Sequence, residues 1–277
     1  MRAAIIRTVI IDFHTHIFPP DVRDRREDYI ARDPTFAEMY GTPRATIATA
    51  EDLIASMVDA NVDISVTLGF AWRDQDDIVR HNDYLLEAAA RANGHILPFT
   101  TINMADARAE SEIARCAAAG ALGLGELRPE NQGWDLNRYA GDRLAVAARE
   151  HNLVLLFHVT EEDGRQYPGK QGCALASFRE FARKHADLKI VGAHLGGGAY
   201  RNGGTTVFVD TAAVPFLYPP VEQPAVYDAV PEERLLFGSD YPLISQSRSV
   251  SEFRAAVTGA ERVHRALAGN ARSLLQV

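Results

Sequence analysis

The sequence predicts an α/β fold, a TIM-type (β/α)8 barrel that occupies residues 1–277 as a single domain. Short apolar runs rich in β-branched residues alternate with amphipathic, alanine-rich segments along the whole chain. This alternation is typical of parallel strands joined by helices, and eight such units need roughly 250 residues. No shift in composition marks a linker, so we expect one domain.

Eight apolar runs are predicted to form the barrel strands. Most are continuous, as expected for strands covered on both faces of a parallel sheet. They comprise residues 8–14, 64–70, 95–103, 121–127, 153–160, 188–194, 205–212 and 234–240. Helices are predicted between them at 51–60, 77–93, 106–119, 137–151, 173–186, 222–229 and 248–259, with a C-terminal helix at 261–275.

Two connections depart from the alternation. Residues 17–50 form a long, charged and proline-containing stretch, which predicts an extended loop or lid after the first strand. Only GGGAYRNGG, residues 196–204, lies between the sixth and seventh strands, and it is too short for a full helix.

The bulk composition is that of an ordinary soluble globular protein, with 47% hydrophobic and 24% charged residues. A net charge of −8 is not the positive charge that is typical of proteins that bind nucleic acid or anionic membranes. No apolar run approaches the ~20 residues of a membrane span, and the N-terminus lacks a signal-peptide core. Cys116 and Cys173 are predicted to be free thiols. We therefore expect a cytoplasmic protein with a small-molecule substrate; homo-oligomer formation stays open.

Four of the nine histidines lie at or just beyond the C-terminal ends of predicted strands. They are His14, His16, His158 and His194. In barrels of this kind that end carries the active site. Because side chains alternate along a strand, His14 and His16 are expected to point the same way.

Strand alternation predicts further partners for this histidine pair. Glu126, His158, His194 and Asp240 each follow apolar or small residues on one strand face. Imidazole and carboxylate are ligands for zinc and similar ions at ~2.0–2.2 Å. Buried ionisable groups without a cation are costly to keep charged. A metal site is therefore predicted from these four residues together with His14 and His16.

Several motifs resemble the amidohydrolase superfamily, and within it the amidohydrolase-related (amidohydrolase 2) branch that includes the aminocarboxymuconate-semialdehyde decarboxylases. They are IDFHTH, GLGELRP, LLFHVT, IVGAHLGGG, LLFGSDYPL and the terminal GNARSLL. The resemblance implies that His14 and His16 bind the first ion, with Asp240 on that ion or its water. It further implies that His158 is a ligand, and that His194 is either a ligand or a catalytic acid/base.

Glu126 bears on how many ions are bound. Binuclear branches of the superfamily place a carboxylated lysine or a glutamate at the end of the fourth strand. The resemblance therefore implies one or two divalent ions, Zn²⁺ being expected, with Glu126 as a ligand. The alternative is that Glu126 is salt-bridged to Arg128.

The resemblance implies a metal-dependent hydrolase that cleaves a small amide, ester or lactone. The metal would activate water, Asp240 would move the proton and His194 would stabilise negative charge. The alternative is a non-oxidative decarboxylase of a small unsaturated or aromatic acid. Arg128, Trp72 and Tyr241 are predicted to contact the substrate; for Arg128 a salt bridge at the rim is the competing interpretation.

Two further residues have predicted roles near the site. Asp12 is expected either to orient a ligand histidine or to accept hydrogen bonds at the strand end. Lys170 is expected either to meet an anionic substrate or to lie in solvent, the latter being favoured.

Overall fold

The computed structural model describes residues 8–161, 166–199 and 207–277. Its centre is an eight-stranded parallel barrel, which confirms the predicted fold class. Each strand pairs with its neighbour in the chain. The strands are β1 Ile11–His16, β2 Ile64–Leu68, β3 Ile96–Thr100, β4 Gly123–Leu127, β5 Val154–Phe157, β6 Ile190–Gly192, β7 Phe208–Asp210 and β8 Leu235–Leu236.

Backbone hydrogen bonds between β1 and the chain after β8 close the barrel. Phe13 N donates to the Phe237 carbonyl (2.8 Å), and Asp240 N donates to the His14 carbonyl (2.9 Å). The strand is shorter than the predicted 234–240, because it ends at Leu236, and Asp240 beyond it has a left-handed backbone (φ 65°). The closure nevertheless sets Asp240 beside β1.

The barrel is surrounded by helices that alternate with the strands. They are α1 Pro20–Asp24, α2 Arg26–Arg32, α3 Pro34–Tyr40, α4 Ala50–Ala60, α5 Gln75–Arg91, α6 Ala109–Ala118, α7 Pro129–Gln132, α8 Tyr139–Glu150, α9 Leu175–Lys184, α10 Ala193–Gly196, α11 Val214–Leu217, α12 Gln223–Asp228, α13 Gln246–Ala256, α14 Ala260–His264 and α15 Asn270–Leu275. A π-helical turn, Arg265–Gly269, joins α14 to α15, so the predicted C-terminal helix is present. Within the described ranges, no helix is long and apolar enough to cross a membrane.

The interior of the barrel is a separate apolar cluster. It joins side chains of β1, β2, β3, β5, β6 and β8 to the C-terminal helix, which closes one end. Ile11, Phe13, Leu156, Val191 and Leu236 belong to it. The helices outside pack on a second cluster that contains the opposite strand faces. An apolar strand residue in the first cluster therefore points into the barrel, and one in the second cluster points towards the helices.

The prediction of a loop at residues 17–50 is wrong in part, because α1, α2 and α3 lie there. Proline opens α1 and α3, and the Asp33 carboxylate caps α3 by accepting from Phe36 N (2.9 Å). Aromatic side chains from this segment pack over the barrel rim with residues that follow β2. This aromatic cluster contains Phe18, Tyr29, Phe36, Tyr40, Phe70 and Trp72.

The predicted strand 153–160 also differs from the structure. The barrel strand ends at Phe157, and residues Val159–Thr160 pair instead with Cys173–Ala174 in a separate two-stranded sheet. The following helix consequently begins at Leu175, two residues later than predicted. The short connection before β7 contains α10, while residues 200–206, including the first two of the predicted seventh strand, lie outside the described ranges.

Candidate metal centre

The six residues predicted to form a metal site lie together at the C-terminal end of the barrel. All are buried except His16, which is half-buried. They are His14, His16, Glu126, His158, His194 and Asp240. Their gathering depends on the closure of the barrel, which brings the first and last strands side by side.

His14, His16 and Asp240 form the tightest set of candidate ligand atoms. The two Nε2 atoms of the histidines are 3.1 Å apart, and Asp240 Oδ1 lies 3.6 Å from His14 Nε2 and 3.5 Å from His16 Nε2. Two ligand atoms bound to one ion at ~2.1 Å are about 3.0–3.4 Å apart. These three atoms therefore fit one ion with shifts of a few tenths of an ångström.

Glu126 lies at the centre of a second set. Its Oε1 is 2.8 Å from His158 Nδ1, 3.2 Å from His194 Nε2 and 3.9 Å from His14 Nε2. Its Oε2 is 3.5 Å from Arg128 Nε. Glu126 thus contacts both the histidines and Arg128, so it has the predicted ion-pair partner and also lies among the candidate metal ligands.

In three of the histidines, one ring nitrogen lies within hydrogen-bond distance of an oxygen atom outside the cluster. The pairs are His14 Nδ1 with Asp210 Oδ2 (2.9 Å), His194 Nδ1 with the Ala212 carbonyl (3.2 Å) and His158 Nε2 with the Lys170 carbonyl (3.2 Å). Since these oxygens only accept, the ring nitrogens donate, and in a neutral ring the other nitrogen turns its lone pair inward. With the rings neutral, the cluster therefore presents lone pairs and carboxylates, and this donor set fits a divalent cation.

The carboxylates of the cluster are ionised. Burial raises the pKa of Asp240, but His16, His14 and His194 outweigh it and hold the pKa well below its usual range. Burial likewise raises the pKa of Glu126, and the neighbouring His158 and Arg128 outweigh it, so that pKa is also held low. Two negative charges are thus concentrated at one buried point.

The same charges act in opposite directions on the histidines. Burial lowers the pKa of His14, but Asp210, Asp240 and Glu126 outweigh it and raise the pKa to about 8. Burial and the Arg128 charge lower the pKa of His158 to about 4 in spite of Glu126, so this ring stays neutral. A cation entering the cluster competes with the proton on His14 for the same lone pair.

Asp210 contacts a candidate ligand of this site and was not predicted. It ends β7, is wholly buried, and contacts the ring of His14. The signal was present, because VFVD places a carboxylate at the end of an apolar run like those of the predicted residues. Asp12 instead accepts from Ser239 and Gln246 and, within the described ranges, contacts no histidine ring, so its contacts are those of a strand-end acceptor.

The residues predicted to contact substrate have different surroundings. Arg128 lines the cavity but donates to the carbonyls of Gly169 and Gln171, both at 3.0 Å, and to His158 Nδ1 at 2.8 Å. The Trp72 ring is buried in the aromatic cluster, and Tyr241 packs against the outer core. Neither of these two is among the described residues that line the cavity.

A cavity of about 320 Å³ opens above the cluster. Its floor contains His16, Glu126, His158, His194 and Asp240. Its walls are largely apolar or aromatic and are formed by Met39, Tyr40, Tyr167, Pro168, Phe216 and Leu243. Lys170, expected in solvent, is buried beneath this wall.

A family model described as amidohydrolase matches residues 11–277. The chain belongs to the amidohydrolase family. It is therefore an enzyme of the amidohydrolase superfamily, as the motifs indicated. No curated protein matches this amidohydrolase.

Solved structures with the same fold cover nearly the whole chain. One is 5-carboxyvanillate decarboxylase from Novosphingobium aromaticivorans with manganese and 4-hydroxy-3-methoxy-5-nitrobenzoic acid (17% identity, 97% of this chain and 96% of that chain, TM-score 0.76). Another is 2,6-dihydroxybenzoate decarboxylase from Rhizobium (14%, 98% and 99%, TM-score 0.71). A third is a Pseudomonas putida protein assigned as a 2-pyrone-4,6-dicarboxylic acid hydrolase (18%, 98% and 98%, TM-score 0.69).

Proposed function

We propose that this amidohydrolase is a metal-dependent, non-oxidative decarboxylase of a small aromatic or unsaturated acid. The observation that carries the proposal is a cluster of acceptor atoms on the floor of a small cavity with apolar and aromatic walls. At about 320 Å³ the cavity is near the lower end of the range for ligand sites, which suits a single substituted ring. Two structurally similar proteins are decarboxylases of aromatic acids, which favours this reaction over the predicted hydrolysis.

The proposed ligands of a divalent ion are His14, His16 and Asp240, with Glu126 and His158 as further acceptors. The two candidate sets of ligand atoms share His14, whose Nε2 has one lone pair, so we propose a single ion. Imidazole and carboxylate suit both the expected Zn²⁺ and the Mn²⁺ found in a similar structure. When bound, such an ion supplies positive charge that holds the oxygen atoms of the acid and stabilises developing negative charge.

His194 is proposed to supply the proton. In the reaction the bond between the carboxylate carbon and the substrate carbon breaks, carbon dioxide leaves, and the electron pair left on the substrate carbon takes up a proton. His194 lines the cavity, and because its Nδ1 contacts the Ala212 carbonyl, its Nε2 carries the mobile proton. Burial lowers the pKa of His194, but Glu126 and Asp240 outweigh it and raise the pKa to about 10. These two carboxylates therefore favour the protonated form of the ring.

Hydrolysis is the second candidate. It is favoured by Glu126, a carboxylate at the end of β4 that contacts three histidines, and by the fold of the Pseudomonas putida protein. In that reaction Asp240, held ionised by the adjacent histidines, would take the proton from the attacking water.

The test is to strip the purified protein of metal, reload it with Mn²⁺ or Zn²⁺, and supply a panel of substrates. The panel contains 5-carboxyvanillate, 2,6-dihydroxybenzoate, related unsaturated acids and 2-pyrone-4,6-dicarboxylate. We expect carbon dioxide release that needs added metal and disappears with a chelator. Hydrolysis of the lactone without carbon dioxide release would overturn the decarboxylase proposal in favour of the second candidate.

A further inference from the structure

Asp210 connects two residues of the metal centre that come from different strands. Its Oδ2 is 2.9 Å from His14 Nδ1, on β1. Its Oδ1 accepts from the backbone N–H of His194 (3.0 Å) and of Ala212 (3.1 Å). One wholly buried carboxylate thus contacts a ring on one side and holds the turn after β6 on the other.

The contact with His14 fixes which ring nitrogen is free. A carboxylate oxygen only accepts, so in the neutral ring the hydrogen lies on His14 Nδ1 and the lone pair lies on Nε2. That nitrogen is the one that faces His16 Nε2 at 3.1 Å and Asp240 Oδ1 at 3.6 Å. Without the acceptor at Nδ1, the other carboxylates near the ring among the described residues, Asp240 and Glu126, would favour a hydrogen on Nε2 instead.

The second oxygen of Asp210 acts on the backbone. His194 has a left-handed conformation (φ 57°), which is uncommon for residues other than glycine. Its N–H is held by Asp210, and its ring is held by the Ala212 carbonyl, two residues beyond Asp210. The end of β7 therefore determines where the His194 ring enters the cavity.

Asp12 provides an internal comparison. It is also a wholly buried carboxylate close to the site, but its partners are Ser239, Gln246 and the His14 backbone N–H. It accepts from no ring nitrogen in the described part of the chain. Of the two carboxylates, only Asp210 is aligned with a candidate ligand atom.

We infer that Asp210 is a positioning residue that makes His14 Nε2 a metal ligand and holds His194 at the cavity floor. The inference rests on the proposed function only for the existence of the metal site. Carboxylate partners of ligand histidines orient the ring and raise its basicity, and losing one costs about 10–100-fold in metal affinity.

The test is Asp210→Asn in the full-length protein. Asparagine keeps the shape and an oxygen for the two backbone N–H groups, which leaves its amide nitrogen to donate towards His14 Nδ1. The ring hydrogen is then driven to Nε2, where it blocks cation binding. We expect the Kd for Mn²⁺, measured on metal-stripped protein from the electron paramagnetic resonance signal of free Mn²⁺, to rise about 10–100-fold.

Asp12→Asn is the matched control, and we expect its Kd for Mn²⁺ to stay within about threefold of the wild-type value. Wild-type protein that binds no Mn²⁺ would overturn the metal site and with it the proposed function. Wild-type binding with equally tight binding by Asp210→Asn would overturn the role of Asp210 alone.

A second measurement needs no folded variant at position 210. In Zn²⁺-loaded wild-type protein with ¹⁵N-labelled histidine, we expect the His14 resonance to show a hydrogen on Nδ1 and none on Nε2. The resonance is assigned by its absence from His14→Gln. A hydrogen-free Nδ1 would contradict the inference even if Asp210→Asn failed to fold.

Discussion

His194 and Asp240 both have left-handed backbones, with φ of 57° and 65°. Such conformations cost free energy in residues other than glycine and concentrate at functional sites. For His194 the turn also changes the direction of the side chain. Val191 and Ala193 face the barrel interior, whereas Ile190 packs outside. Simple alternation from Ile190 would have turned the ring at position 194 away from the site, and the left-handed turn brings it back.

His194→Asn tests the proton-donor role without removing the turn, because asparagine tolerates the left-handed conformation. His194 is outside the set formed by His14, His16 and Asp240, so we expect Mn²⁺ binding to change by less than about threefold. We expect kcat for carbon dioxide release to fall by about 10²–10⁴-fold, the usual contribution of a positioned acid.

His151→Asn is the control for His194→Asn, since His151 lies at the end of α8, distant from the cavity lining. Its activity should equal that of the wild type. If His194→Asn lost metal and activity in parallel, the role assigned to His194 would be that of a ligand.

At the level of the elements, the site was predictable where strands follow regular alternation. On β5, Val154 and Leu156 face the interior, and His158 follows in the same register. The pairing of β1 with β2 shifts between Asp12 and Thr15, and that of β4 with β5 shifts between Leu124 and Leu127. These irregularities depend on backbone contacts between strands, which the alternation within one strand does not encode, so alternation alone could not give the exact register at the ends of β1 and β4.

Residues 166–172, here called the strap, cross the cavity wall and are attached to the barrel through Arg128. The guanidinium donates to the Gly169 and Gln171 carbonyls, and His158 Nε2 donates to the Lys170 carbonyl between them. Gly172 packs so closely that an added Cβ would lie 2.5 Å from the His158 ring. The strap and the His158 ring therefore hold each other in place.

Arg128→Lys should separate the charge from the geometry of this contact. Lysine keeps the positive charge but cannot match the fork of donors that reaches two carbonyls and a ring nitrogen. We expect a loss of about 1–3 kcal/mol in the free energy of unfolding and about a 10–100-fold loss of activity as His158 becomes misoriented. Urea unfolding and the carbon dioxide assay measure the two effects.

Arg138→Lys is the control for Arg128→Lys, because the Arg138 side chain is 82% exposed and should tolerate the change. Unchanged stability and activity in Arg128→Lys would show that charge alone suffices at this position.

At the level of the whole molecule, a buried histidine connects the segment that contains α1–α3 to α5 and to Trp72. His81, on α5, donates from Nε2 to the Ile17 carbonyl (2.7 Å) and accepts at Nδ1 from Trp72 Nε1 (3.0 Å). Its ring stacks on Phe18 at 5.0 Å. The sequence showed no sign of this junction, because the aromatic residues of 17–50 lie far along the chain from His81 and have no regular spacing.

Protonation of His81 should couple folding to pH. Burial lowers its pKa to about 4, below the 6.5 of an unperturbed histidine, so between these values the unfolded chain binds more protons than the folded one. The contribution of His81 to the free energy of unfolding is complete above pH 6.5 and falls as pH decreases towards 4.

Between pH 7.5 and pH 5, His81 should account for about 2 kcal/mol of lost unfolding free energy. Comparing wild type and His81→Phe by urea unfolding at both pH values isolates this contribution, because every other titratable group is common to the two proteins. We expect the pH-dependent loss to be about 2 kcal/mol smaller in His81→Phe; equal losses in the two proteins would mean that His81 is protonated in the folded state as readily as in the unfolded one.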